Sequence, residues 1–482
     1  RAFALAAIVT DPNFERRERT LSRTVVVGPN AWDWLVRSSS PQSPLVLVPD
    51  FADADVKSAQ ARAFVVARAH STEGPNTRLT MEDYVPFDRL RARLVDLGMR
   101  ESDAHTCVTR AAGRISDLRR QLGEGALPAW AQRSPAALWI PLLLIERWRP
   151  RNEADRRVVE QLGASPIELD RLCEEFSVQE DRPVRRAEEW DLGVTWEWCA
   201  ADTTWMLLAG RVPGSDLERF QVVAVAVFET VDPKFEVPVA ERFAAGASDR
   251  QSRPSEVLRE GVARTLARLG NGVSNHPEHT VSKAGARIAV AVVREVLVPS
   301  WKRWAALSAE LPWLAEAAPG AFFEALHRSL AREDGCARLL AEEDRWSSPH
   351  TGLLWALERL AWHPRWMPQS ADALATLAAR DPGGRVSNRP LASLGAIVRA
   401  VAPQTTAPLE DRLAAVDRVL SRHFSVGWKL LLSILSSAQG GVVWESNRPQ
   451  YLPIGGLPDR PGSLLEAPAR ATFRAAVERA IL

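Results

Sequence analysis

The residues in this chain best suited to grip a charged ligand are Arg385, Asn388 and Arg389. Two guanidiniums and an amide can hold an acidic peptide or a phosphate in bidentate fashion. Their loop follows Pro382-Gly383-Gly384, whose glycines let the backbone approach a ligand closely, and Arg389 precedes Pro390, which keeps the segment extended. The tetrapeptide Ser387-Asn388-Arg389-Pro390 recurs as Ser446-Asn447-Arg448-Pro449, each copy near a Gly pair at 383–384 and 440–441. That recurrence favours a plainer reading, in which Asn388, Arg389, Asn447 and Arg448 tie neighbouring helix ends together through carbonyls that lack an intrahelical partner.

Nucleotide chemistry would need other residues. Asp50 follows the apolar run Pro44–Val48, where an acid holding the Mg²⁺ of a bound nucleotide would follow its strand. Such an acid works only beside a phosphate loop, and no G-x-x-x-x-G-K-[ST] occurs anywhere in the 482 residues. With Pro49 intervening, Asp50 reads better as a cap or loop residue. Arg110 and Arg114 lie in a helical stretch where an arginine could sense a γ-phosphate, but without a phosphate loop they read as solvated helix arginines.

The histidines supply little. His276 and His279 have a metal-compatible spacing but no third ligand, in what reads as a loop. His350 sits where a helix begins, so capping or packing is preferred over a general-base role. Glu342-Glu343-Asp344 reads as a solvated charge run at a helix end.

Composition sets limits on these chemistries. Lys and Arg total 61 against 60 Asp and Glu, a net charge of +1, so nothing in the balance points to a polyanionic partner across the whole chain. Hydrophobic content of 46% is ordinary for a globular protein, and the length predicts three or four domains. No apolar run approaches the roughly 18–20 residues of a membrane span. Cys107, Cys173, Cys199 and Cys336 are scattered without metal-ligand spacing, which points to a reducing cytoplasm. Eighteen Trp against two Tyr falls mostly inside helical patterns and is expected to be core packing.

The elements that must position these residues follow from periodicity. Residues 1–78 alternate short β-branched runs (Val25–Val27, Leu45–Val48, Phe64–Val66) with helix-like stretches at Ala31–Val36 and Ala54–Arg62. Such a pattern suits a parallel sheet buried on both faces. It reads as an incomplete or degenerate nucleotide-binding α/β domain; the chain starts at Arg1 on a helical pattern, so either the natural start lies upstream or the phosphate site has been lost. Residues 79–134 predict short helices: Asp83 would cap Phe87–Leu97, Ser102 would cap Asp103–Ala112, and Ile115–Leu122 would follow.

Residues 135–235 predict a winged helix. Helices at Ala136–Trp148, Asn152–Leu162 and Pro166–Phe176, with Asn152 and Ser165 as caps, precede β runs at Val184–Arg186, Val194–Trp198 and Trp205–Leu208. The third helix carries Glu168, Asp170, Glu174 and Glu175 against Arg171 alone, which opposes a DNA backbone. Residues 236–482 predict amphipathic helices broken by Pro and Gly, as in an irregular superhelical array.

This domain order resembles that of bacterial STAND proteins, signal-transduction ATPases with numerous domains. Within residues 348–431 the resemblance narrows to an uncharacterised group of large defence-type ATPase-like proteins. It is carried by Ser348-Pro349-His350-Thr351-Gly352-Leu353-Leu354-Trp355 through Leu360-Ala361-Trp362-His363-Pro364, by Asp381-Pro382-Gly383-Gly384-Arg385 with Asn388-Arg389-Pro390-Leu391, then by Pro403-Gln404-Thr405 and Gly427-Trp428-Lys429-Leu430-Leu431. The resemblance implies an ATPase core, a helical lid and a winged helix ahead of a superhelical sensor, with antiphage defence as the setting. It also implies ATP or ADP with Mg²⁺ if an upstream phosphate loop exists, a protein trigger or effector as partner, and a homo-oligomer. Nucleic acid would enter only through an effector. The expected function is therefore the regulatory sensor of such a protein; the alternatives are a non-enzymatic scaffold with a degenerate ATPase fold and a winged-helix DNA-binding regulator.

Overall fold

The computed structural model describes residues 24–27, 46–49, 64–65, 86–123, 127–132, 136–179, 182–189, 193–230, 232–238, 241–242, 253–272, 280–343, 348–436, 446–454 and 466–481. Among them the chain is mostly helical, and no helix is long and apolar enough to cross a membrane. It divides into two compact units, Arg1–Gly125 and Ala126–Leu482.

The first unit contains a parallel sheet in the order β1-β2-β3, formed by Thr24–Val27, Val46–Pro49 and Phe64–Val65. Thr24 registers with Val46 and Val46 with Phe64, so the β-branched runs do pair in parallel. The helix-like stretches between them, together with Asp50 and Asp83, lie outside the described residues. Three helices follow: α1 (Phe87–Asp96), α2 (Glu101–Arg110) and α3 (Ile115–Gln121). Leu90, Leu94, Ala104, Val108, Ala111 and Leu118 form their own small core. Ser102 does not cap α2. Arg100 holds the extended backbone of the N-cap position, so Ser102 lies inside the helix.

The second unit opens with α4 (Ala129–Gln132) and α5 (Ala136–Ile145). The helix expected to run on to Trp148 stops at Ile145, because Glu146 takes a positive φ of 59° and turns the chain into β4 (Arg147–Trp148). Next come α6 (Glu153–Gln161) and α7 (Pro166–Ser177). Asn152 caps the first by accepting from Asp155 N at 2.9 Å, and Ser165 caps the second ahead of a Pro at its first position. β5 (Val184–Glu189) and β6 (Gly193–Trp198) make an antiparallel hairpin, and β4 joins on the far side of β6. Trp205–Leu208, expected as a further β run, lies instead in α8 (Ala201–Leu208). Its apolar residues face the core at helical spacing, with Trp205 and Leu208 both buried.

A helical array completes the unit: α9 (Gly214–Glu229), α10 (Glu256–Gly270), α11 (Thr280–Val296), α12 (Trp301–Ala306), α13 (Leu311–Ala317), α14 (Pro319–Leu330), α15 (His350–Ala361), α16 (Met367–Ala379), α17 (Pro390–Val398), α18 (Leu409–Arg422), α19 (Phe424–Ser436) and α20 (Glu466–Ile481). The helices pack serially: α13 on α15, α15 on α16, α16 on α17, α18 on α19 and α19 on α20. One continuous core runs from Trp130 to Ala476. Trp139, Trp148, Trp205 and Trp304 are fully enclosed in it, and Trp362 is buried as well, as expected for core tryptophans.

Helix α10 is where the two halves of this unit meet, since it packs on α5 and β4 as well as on α9, α11 and α13. Ser255 caps it by accepting from Leu258 N. Gly261 makes the close approach feasible: a Cβ there would run into the Ile145 carbonyl at the end of α5. A side chain at that position would push the helices apart.

Candidate functional site

The described residues gather their most concentrated chemistry at α10. Arg268 is fully buried in the last turn of this helix. Its Nε and Nη2 donate to Asp202 Oδ1 on α8 at 2.9 and 2.7 Å, and Nη2 also donates to the Tyr451 hydroxyl at 2.6 Å. That hydroxyl in turn donates to Asp202 Oδ1 at 3.0 Å. Arg268 Nη1 lies 2.6 Å from Glu146 Oε1, but neither atom has a hydrogen bond with good geometry, so this contact is a close ion pair rather than a directed bond. Arg264 approaches the other Glu146 oxygen at 3.4 Å and stacks over Trp313.

Electrostatics follow from this enclosure. Burial opposes the Asp202 carboxylate, yet Arg268 beside it, helped by Arg264 and the Tyr451 hydroxyl, holds its pKa below the usual carboxylate value. Burial pushes the Tyr451 phenol well above its ordinary value, so it stays protonated and able to donate. Tyr451 keeps a partly exposed edge even though its hydroxyl is surrounded; the contacts of the oxygen itself decide its titration. Taking charges out of water costs several kcal/mol each, which pairing must offset, so a cluster of this kind specifies geometry more than it adds stability.

A second carboxylate organises the same region. Glu316 on α13 is buried and pairs with Arg359 of α15 at 3.0 Å. Its other oxygen accepts from the backbone N–H groups of Tyr451 and Leu452, the latter at 2.7 Å. Burial raises its pKa, against the pull of Arg359 and those two N–H groups. Arg359 stacks on Trp313, which also faces Tyr451.

The recurring tetrapeptides converge on α15. Asn447, at a positive φ of 52°, donates its amide to Glu358 at 2.6 Å. Glu358 is also hydrogen-bonded by Ser393, whose hydroxyl lies 3.5 Å from Asn388 Oδ1. The Asn388 carbonyl accepts from His350 Nε2 at 3.1 Å, which fixes the proton on that nitrogen. His350 is buried, its pKa is depressed by that burial, and its Nδ1 has no hydrogen-bond partner. It packs at the first turn of α15 rather than facing solvent.

Arg389 is held internally. It pairs with Asp381, with Glu343 at 3.2 Å and with the Gly383 carbonyl. Glu343 also accepts the backbone N–H groups of Arg385 and Val386 at 2.9 and 3.0 Å. Glu343, expected as part of a solvated run, is thus the anchor of the Gly383–Gly384 loop. The Arg385 side chain is exposed, and Arg448 is engaged within the fold.

In the first unit, Arg114 pairs with Asp117 at 2.9 Å, and Arg120 pairs with the same carboxylate. Arg110 ends α2 near Cys107. Asp50, His276 and His279 lie outside the described residues. Among the described residues no group of His, Cys, Asp or Glu side chains is placed to hold a metal ion. A cavity lined by Val398, Leu409, Arg412, Val416, Leu431 and Ile434 measures about 10 Å³, room for one water.

Sequence reasoning passed over Glu146, Asp202, Arg264, Arg268, Glu316, Arg359, Gln450 and Tyr451. A signal was present: Glu146 follows the apolar run Leu142–Ile145, Glu316 sits inside Leu311–Ala317, and Tyr451 is one of two tyrosines. Charges embedded in apolar periods have to find partners. Comparison of the chain with family models, with curated proteins and with solved structures returned no match.

Proposed function

We propose that this chain is the switch and sensor portion of a STAND-type regulatory protein of bacterial antiphage defence, recognising a trigger through its helical array and controlling an effector. In this reading residues 1–78 are a degenerate or incomplete nucleotide-binding domain, 79–134 a helical lid, 135–235 a winged helix and 236–482 the sensor. The observation that carries it is the Arg268 cluster, which joins Glu146 and Asp202 of the wing module to Tyr451 in the array through one buried charge.

Element order supports the assignment. From α5 to β6 the chain runs helix, strand, helix, helix, strand, strand, with sheet order β4-β6-β5, which is how a winged helix is laid out. Glu168, Glu174 and Glu175 are exposed on its third helix, and Asp170 accepts from Trp196 Nε1 at 2.6 Å. Exposed carboxylates repel a phosphate backbone, so protein contact is favoured over DNA. A switch of this kind needs a bistable interface that a trigger biases by a few kcal/mol.

The test is calorimetric titration of the intact natural protein with MgATP and with MgADP, alongside hydrogen exchange of residues 256–270 and 446–454. Saturable binding of either nucleotide, with altered protection in those segments, is the expected result. Absence of binding with unchanged protection favours the scaffold reading instead.

A further inference from the structure

The segment Ser446–Ile454 crosses the array as a strap with neither helix nor strand structure of its own. Its contacts divide into two kinds. Four are to its main chain: Glu316 accepts from Tyr451 N and Leu452 N, while Trp362 Nε1 donates to the Ser446 carbonyl at 3.1 Å and Thr406 Oγ1 to the Ile454 carbonyl at 2.9 Å. Such contacts take hold of any extended peptide regardless of sequence.

The second kind reads side chains. Glu358 accepts the Asn447 amide, Asp202 Oδ2 accepts the Gln450 amide at 3.0 Å, and the Arg268–Asp202 pair brackets the Tyr451 hydroxyl. Ser446 and Pro453 are exposed and Tyr451 only partly covered, so the strap lies along the outside with its polar anchors turned inward. The pairs of Arg268 with Glu146 and Asp202, and of Glu316 with Arg359, involve no atom of the strap. The charge pairs that line the groove are therefore supplied by residues outside the strap.

We infer that the groove between α8, α10, α13 and α15 is a peptide-recognition site, and that Ser446–Ile454 is its displaceable resident. Its external ligand is an extended segment carrying a carboxamide, then a phenol, then an apolar residue, matching Gln450-Tyr451-Leu452. This rests on the sensor reading, because displacement of the strap is what would report a trigger. Loss of the strap removes the neutral donor and acceptor bridging Arg268 and Asp202, so occupancy is coupled directly to the joint between wing module and array.

The experiment uses the full chain with Gln450→Ala and Tyr451→Ala combined, and a fluorescein-labelled synthetic peptide with the sequence of residues 446–454. Fluorescence anisotropy should give saturable binding to this variant, at least about tenfold tighter than to the unaltered chain, where the resident strap competes. A peptide with Phe in place of its Tyr should bind the variant about tenfold more weakly. No saturable binding to a folded variant, or equal binding to both chains, overturns the inference. Should the variant fail to fold, hydrogen exchange on the unaltered chain decides. Tyr451 and Leu452 amides must exchange through a local opening well before those of α10, and exchange only with global unfolding overturns it. These outcomes do not depend on nucleotide, so the peptide site and the regulatory reading fail separately.

Discussion

Ion pairs described in the first unit are mostly local, the buried pairs of Asp117 with Arg114 and Arg120 included, whereas several in the second unit join distant residues. In the helices of the first unit, Arg91–Asp88, Arg93–Asp96 and Arg100–Asp103 are i,i+3 pairs on the surface, the last with side chains 76% and 46% exposed. Pairs of that kind stabilise a helix locally by a few tenths of a kcal/mol. In the second unit, Arg268–Glu146, Arg268–Asp202, Arg359–Glu316 and Arg259–Glu310 join distant parts of the sequence and are buried. Local pairs decide that a helix forms, whereas buried distant pairs decide which elements meet.

Substitutions should divide along that line. Arg268→Met leaves Asp202 buried without its paired cation and Glu146 with Arg264 alone, and should destabilise the second unit by about 3–5 kcal/mol, measured by chemical denaturation. If the loss stays below about 1 kcal/mol, the cluster is better hydrated than its burial implies.

Gly261→Ala tests the same joint sterically and should cost about 1–3 kcal/mol by forcing α10 off the Ile145 carbonyl. An unchanged melting temperature would mean the helices are free to part.

Asp155 offers a titratable probe. It accepts from Arg149 N at 2.8 Å, Ser255 N at 2.7 Å and Ser255 Oγ at 2.6 Å, linking α6 to the cap of α10. Burial raises its pKa from 3.8 to about 6, against the pull of those donors. The folded chain thus binds this proton more tightly than the unfolded chain. The resulting stabilisation is full below pH 3.8 and is lost as pH rises through about 6. Asp155→Asn should remove that slope from a plot of melting temperature against pH; a slope left intact would assign it to another group.

The smallest effect belongs to the first unit, where Arg100→Ala should change stability by less than about 0.5 kcal/mol. A larger loss would show that the exposed pair does more than support its own helix.

What the sequence disclosed follows the same division between local and distant. Asn152 and Ser165 were readable as helix starts because a cap and an apolar period lie within a few residues of each other. The parallel strands were readable from their β-branched runs. Glu146 was not, because its left-handed backbone is no residue-type preference, and it converts the expected helix end into β4. Trp205–Leu208 was misread because a short apolar run suits a strand or a buried helix equally. The joint itself was hidden for a different reason: Arg268 and Tyr451 are 183 positions apart, and nothing periodic connects them. The repeated Ser-Asn-Arg-Pro read as a joint between helix ends, and the structure places one copy at a helix start and the other in the strap.

The most direct test of the joint is hydrogen exchange on the intact chain carrying Arg268→Met. We expect protection to fall together in α8, α10 and residues 446–454, while α1 to α3 keep theirs. Loss confined to the immediate turn of α10, with the strap and α8 as protected as before, would contradict a role for Arg268 in holding α8 and the strap together.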